Sequence, residues 1–193
     1  MITLLLTGAA LAAPPGYNVT KTGASGCELS LGPAEADGVV PMRAECHWPE
    51  ASLDKFKAVF GNWEKHDDVF SAVVESKIQR SEGSRALVYQ KHRNSGIADR
   101  EILLWMKAEQ VEGWTRYGWT KAQGETLTVA DGNVETPRSD GYWQAKASPD
   151  GGILVVHTLS YAPGGSVWGW VVRAFQTSGL EATVSEARQA VAP

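Results

Sequence analysis

Four histidines and two cysteines are the residues of this chain best suited to chemistry, and their spacing narrows what each could do. His157 stands in an alternating run whose other same-face members are Ile153, Val155, Leu159 and Tyr161, so a single titratable ring interrupts an apolar strand face. A ring so placed either hydrogen-bonds the polar group of a bound molecule or is a core histidine satisfied by a neighbour. His66-Asp67-Asp68 has metal-ligating residue types. Three adjacent side chains after a helix end do not converge easily on one ion, so the run reads as a solvated loop and no metal site is expected. His47 and His92 fall on polar strand faces or beside basic residues. The sequence contains no Gly-x-Ser-x-Gly elbow, no phosphate-binding glycine loop and no His-Glu-x-x-His helix. No cofactor and no dedicated catalytic set is expected.

Each cysteine lies in a stretch that alternates apolar and polar residues. In "CELSL" the apolar face is Cys27, Leu29 and Leu31; in "VPMRAECHW" it is Val40, Met42, Ala44, Cys46 and Trp48. Antiparallel pairing with Cys27 opposite Cys46 places Leu29 opposite Ala44 and Leu31 opposite Met42, so one register satisfies both strands. A bridge there would close a loop of about 20 residues and contribute roughly 3 kcal/mol on the chain-entropy estimate. Two reduced core thiols are the alternative.

A disulfide suits an exported protein, and the first residues point the same way. "MITLLLTGAALAAPPG" puts a short apolar run before small residues and prolines, so residues 1–14 read as a secretory signal leading to the periplasm or the extracellular space. No Lys or Arg precedes Lys21, which leaves a misassigned start or a buried N-terminal segment as alternatives. Residues 15–25, rich in Pro, Gly, Thr and Ser, are expected to be flexible.

Stepping outward, these groups need elements to hold them. With 193 residues, 43% of them hydrophobic and 21% charged, the chain suits one domain with one core over residues 26–193. The net charge of −4 argues against a nucleic-acid partner, because phosphate binding needs clustered Lys and Arg. After the cysteine hairpin, Ser52 can cap a helix in which Leu53, Phe56, Val59 and Phe60 recur at helical spacing, stopped by Gly61-Asn62. From Phe70 to Ala162 strand-like runs alternate with turn residues: "FSAVVESKI", "RALVYQKHR", "REILLWMKAE", "WTRYGWTKA", "TLTVADG", "YWQAKAS" and "ILVVHTLSYA". That order predicts an antiparallel meander. Ser166 to Val191 reads as a long helix with Val167, Trp168, Val171, Val172 and Phe175 on one broad face, kinked or interrupted at Ser178-Gly179. A curved sheet must cover its apolar face, and only this last helix is long enough to do so.

At "ADREILLWMKAE" and "LSYAPGGSVWGWVV" the chain resembles START domains, the lipid-transfer branch of the helix-grip, Bet v 1-like superfamily (SRPBCC). Arg100-Glu101-Ile102 stands where that family carries an Arg-Asp strand motif. Tyr161-Ala162-Pro163-Gly164-Gly165, followed by Val167 and Trp168, stands where it carries a glycine turn opening the last helix. Glu101 replaces the usual Asp, and Met106 occupies the position at which sterol-type members keep a buried Arg. The resemblance implies an α+β helix-grip fold, in which a curved antiparallel sheet grips a long C-terminal helix and one or two short helices follow the N-terminal hairpin.

The same resemblance implies a monomer that takes one lipid or other hydrophobic small molecule into an apolar tunnel and makes transient membrane contact. The pleat puts Ile102, Leu104 and Met106 on one strand face. By resemblance the tunnel wall would add Trp143, Val155, His157 and Leu159 from strands, and Trp168, Val171, Val172 and Phe175 from the helix. Gly164-Gly165 and Ser178-Gly179 are expected to act as hinges of a helical lid. An aromatase/cyclase-like enzyme using His157, Arg100 and Tyr161 is the second reading. A filled core whose exposed tryptophans, Trp114 or Trp170, bind a partner is the third.

Overall fold

The computed structural model describes residues 13–23, 25–93, 95–167, 172 and 175–193. The first elements of the described residues are three strands, β1 (Asn18–Thr22), β2 (Cys27–Leu31) and β3 (Met42–Trp48), followed by helix α1 (Leu53–Phe60). A short 3₁₀ turn (Trp63–Lys65) leads into α2 (His66–Val69). The meander follows: β4 (Val73–Glu82), β5 (Arg85–His92), β6 (Arg100–Val111), β7 (Trp114–Lys121), the two-residue β8 (Val134–Glu135), β9 (Arg138–Ala147) and β10 (Ile153–Ala162). A π-helical turn (Phe175–Gly179) opens onto helix α3 (Leu180–Val191).

The ten strands of the described residues form one sheet in the order β1-β2-β3-β10-β9-β7-β6-β5-β4, with β8 lying parallel beside β6. The α+β helix-grip architecture follows from this order, because the cysteine hairpin pairs with the last strand while α1 and α2 carry the chain across the concave face to the far edge at β4. Ser52 caps α1 as its position predicts, its Oγ accepting from the Lys55 N–H at 3.1 Å. Phe56 and Phe60 are buried beneath it.

The cysteine register is the predicted one: Cys27 pairs with Cys46, Leu29 with Ala44 and Leu31 with Met42, and the two sulfurs form a disulfide. Over this hairpin α3 lays Leu180, Val184, Ala187 and Val191, all buried, at the helical spacing that makes one stripe. This end of the grip is solid.

Three segments differ from expectation. Residues 18–22, expected to be flexible, form edge strand β1, whose five residues are exposed and held by backbone pairing with β2 rather than by burial. "TLTVADG" is not a strand but a loop that lies on the convex face, where Leu127 packs against Leu87, Leu103 and Ala122. Its alternation served a satellite cluster, not a ladder. Of the helix expected from Ser166, Ser166 and Val167 are not helical, residues 168–171, 173 and 174 lie outside the described residues, and the turn at Phe175–Gly179 widens to π geometry before α3 starts. Gly179 sits against the Phe175 ring, where an added Cβ would come within 3.1 Å. The expected interruption at Ser178-Gly179 falls on this turn. Residues 1–12, and with them most of the signal read at 1–14, lie outside the described residues.

Candidate functional site: a histidine-bearing cavity under the helix

Strand pairing carries one set of side chains onto the concave face. In register across the sheet are His157, Trp143 and Tyr117, then Trp119 beside Met106, then Leu104 beside Val88, then Gln90 beside Ser76. Where α3 covers the hairpin end of this face the packing is closed. Toward β5, β6 and β7 it is not: a cavity of about 120 Å³ lies there. Its floor is Leu104, Met106, Trp119, Trp143, His157 and Leu159. Phe60, Trp63, His66 and Phe70 close it from α1 and α2, and Tyr161, Phe175 and Thr183 from the C-terminal side. Among the described residues the wall carries no Asp, Glu, Lys or Arg.

Aromatic rings shape the cavity. Trp143 stacks on His157 with centroids 3.8 Å apart and planes 9° apart, and Phe60 and Phe70 lie 4.9 Å and 6.3 Å from Trp143. Tyr161 and Phe175 meet at 5.0 Å. Flat faces at such spacings favour offset packing of further rings.

The polar groups form a short relay whose hydrogens can be assigned. Ser76 Oγ donates to the Trp63 carbonyl at 2.7 Å, so it must accept from the Gln90 amide nitrogen 3.1 Å away. That orientation turns Gln90 Oε1 toward His92 Nε2 at 3.1 Å, which therefore carries a proton, and leaves the Gln90 amide facing His66 Nδ1 at 3.5 Å. The proton of His66 is then on Nε2, which is buried without a hydrogen-bond partner. Burial holds both rings neutral, with pKa values pushed down to about 4 for His66 and about 4 for His92.

His157 is different. Its Nδ1 lies 3.1 Å from the Tyr142 carbonyl, which can only accept, so the proton is on Nδ1. Burial drives its pKa down to about 3, the Tyr142 bond opposing this weakly. Nε2 is left as a buried lone pair with no partner, on a ring only 1% exposed that lines the cavity.

No family model matches the chain. A protein of Pseudomonas aeruginosa, uncharacterized by its own description, is 24% identical over 105 residues, which are 54% of this chain and 52% of that protein. The chain spans about half the length of that relative. Solved structures match much more of it. Human StAR-related lipid transfer protein 5 superposes with a TM-score of 0.82 at 13% identity, covering 93% of this chain and 88% of that one. A STAR-related lipid transfer protein from Xanthomonas axonopodis gives 0.73 at 20% identity, covering 90% and 99%. The Zhui aromatase/cyclase from a Streptomyces species gives 0.52 at 11% identity, covering 78% and 93%. The chain has the START fold.

Within this START fold the expected wall residues divide into three groups. Leu104, Met106, Trp143, His157, Leu159 and Phe175 come together around the cavity. Ile102 and Val155 lie on the same face but not at the cavity. Val155 is closed in between Cys46 and Ala145, and Ile102 lies beside Gln90 and is fully buried with Val88 and Leu104. Val172 is half-buried outside the wall, and Trp168 and Val171 lie outside the described residues, as does Trp170. Trp119 is also a wall residue, its Nε1 donating to Ser139 Oγ at 3.1 Å, and Trp114, expected as an exposed contact residue, is half-buried under Lys146.

Gly164-Gly165 is an anchor rather than a free hinge. Buried Arg100 donates from Nε to the Pro163 carbonyl at 3.1 Å, from Nη2 to Gly164 O at 3.2 Å, and from Nη1 to Ala98 O. Gly164 has φ +69°, and a Cβ there would come within 2.7 Å of Pro137 and 2.8 Å of the Glu135 carbonyl. Only glycine fits. This is the physical content of the Arg100 and glycine-turn motifs.

The sequence reading missed His66, Gln90 and His92. Strand parity could have found two of them, because Ala86, Val88, Gln90 and His92 alternate onto one face. His66 had no such signal. It was read as solvated, and instead α2 turns it inward to 7% exposure against Gln90 and Phe70.

Proposed function

We propose that this protein binds one hydrophobic small molecule in the cavity between its sheet and its C-terminal helix, holds it without covalent change, and hands it on. The observation that carries the reading is the cavity itself: apolar, ring-lined and placed under the one helix that closes the grip. Small-molecule sites have this character, apolar walls with a few placed polar groups. As it stands the space is near that of an engineered cavity of about 150 Å³ that binds benzene, so a single ring fits, and a longer tail needs the C-terminal segment to shift. Each methylene withdrawn from water adds about 0.8 kcal/mol, which suffices for capture without chemistry. The names of the two lipid-transfer neighbours support the carrier reading.

An aromatase/cyclase role would need Arg100, His157 and Tyr161 to act together. Arg100 is occupied by three backbone carbonyls. That weighs against the enzyme reading. Export is part of the proposal, supported by the Cys27–Cys46 disulfide and the apolar first residues.

Native mass spectrometry of the purified chain, followed by solvent extraction, tests the reading. A stoichiometric hydrophobic ligand is expected. A bare protein that takes up nothing from a panel of lipids and aromatic hydrocarbons would overturn it.

A further inference from the structure

The cavity has a polar preference that the hydrophobic reading does not contain. We propose that its ligand is a neutral ring-bearing alcohol or phenol whose hydroxyl donates a hydrogen bond to His157 Nε2. This rests on the cavity being a ligand site, and it narrows the class of molecule that the site takes.

The tautomer of His157 is fixed. A carbonyl cannot donate, so the Tyr142 contact places the proton on Nδ1 and leaves Nε2 able only to accept. The ring cannot turn its other edge inward without losing that bond. A buried polar atom without a partner is costly, so an unpaired acceptor at the wall of a cavity marks what the occupant must supply. A hydroxyl supplies it, and its own oxygen can accept from the Tyr161 hydroxyl or the His66 Nε2–H, which also lack partners on this wall. A carboxylate could take those donors but has no proton to give His157 Nε2 at neutral pH. Among the described residues the wall holds no Lys or Arg to receive such a charge, and burial keeps His66, His92 and His157 neutral. Phe60 and Phe70 pack on Trp143, and the three rigid rings line the same cavity, which suits a planar ring better than a single chain.

The test compares p-cresol with p-xylene, which differ by a hydroxyl in place of a methyl, and 4-methylbenzoate as the charged counterpart. Binding is measured by calorimetry at pH 7 for the intact protein and for His157→Phe, which keeps a ring against Trp143. The expected result is that the ratio of p-cresol to p-xylene affinity falls about tenfold in the variant while p-xylene binding is retained, in line with one lost hydrogen bond. In the unmodified protein the ¹⁵N resonance of His157 Nε2 should move with p-cresol and not with p-xylene, a readout that needs no variant. An unchanged ratio together with an unmoved resonance, while both molecules bind, overturns the hydroxyl assignment and leaves the cavity reading standing. Tighter binding of 4-methylbenzoate than of p-cresol overturns the neutral class. If neither p-xylene nor p-cresol binds, the cavity reading falls and this inference falls with it.

Discussion

One sheet and one C-terminal helical segment make two different ends of the grip. At the cysteine end, Cys27, Leu29, Ala44, Cys46 and Trp48 meet Leu180, Val184, Ala187 and Val191, and every one of them is buried. At the other end the same concave face is built from Trp143, Trp119, Tyr117, His92 and His157, His66 faces it from α2, and a cavity remains. The difference lies in side-chain shape and polarity. Small and aliphatic residues interdigitate to crystal-like density, whereas large rigid rings and hydrogen-bonded imidazoles cannot collapse onto one another. A fold that closes one end covalently can leave the other open without coming apart.

The largest expected contrast is in pH. His66, His92 and His157 all border the cavity, while the remaining histidine, His47, lies on the polar face of β3 with Nε2 at 2.9 Å from the Gly151 carbonyl. The native pKa values of about 4, 4 and 3 lie below the ordinary value of 6.5, so between pH 6.5 and about 4 the unfolded chain takes up protons that the native rings refuse. Stability is full above pH 6.5 and declines as pH falls, by about 2 kcal/mol per ring at pH 5. Urea unfolding at pH 7 and pH 5 should show this decline, and His157→Phe should remove about one ring's share. A pH-independent midpoint would break the contrast.

Truncation sharpens it next. Leu29→Ala in the solid end should cost about 2–5 kcal/mol, because a tight site leaves a cavity. Leu159→Ala, whose side chain already borders empty space, should cost about 1–2 kcal/mol. Thermal unfolding of the pair decides it, and equal losses would mean that the two ends are packed alike. Removing the bridge with Cys27→Ala and Cys46→Ala together should cost about 3 kcal/mol and leave ligand affinity unchanged at temperatures where the variant is folded. Altered affinity there would show that the closed end communicates with the open one. The smallest effect on stability belongs to Leu159→Trp, which should fill the cavity, shift unfolding by no more than about 1 kcal/mol, and lower hydrophobic-ligand binding at least tenfold.

Much of this was legible in the chain. The pairing of Cys27 with Cys46, the Ser52 cap, the meander and the helix-grip order all follow from alternation, spacing and turn residues, which are local properties. Of the six wall residues that assembled, Leu104 and Met106 were found because the pleat assigns a face to every strand residue, and Trp143, His157, Leu159 and Phe175 through the family resemblance. "TLTVADG" failed for the converse reason: a short alternating run says which side chains are apolar, not whether a neighbouring strand is there to receive its backbone.

The sequence by itself determined two faces for each strand, a stripe on the last helix, and a histidine set among apolar neighbours at position 157. Only the tertiary structure decided which parts of the inner face are filled and which are hollow. Val155 and His157 are two residues apart on one face, yet the first is sealed between Cys46 and Ala145 and the second opens onto a cavity. Packing density depends on what arrives from distant segments, here the aliphatic stripe of α3 in one place and the α2 turn carrying His66 in the other. No local pattern encodes that meeting, because the volume left between two elements is a property of both.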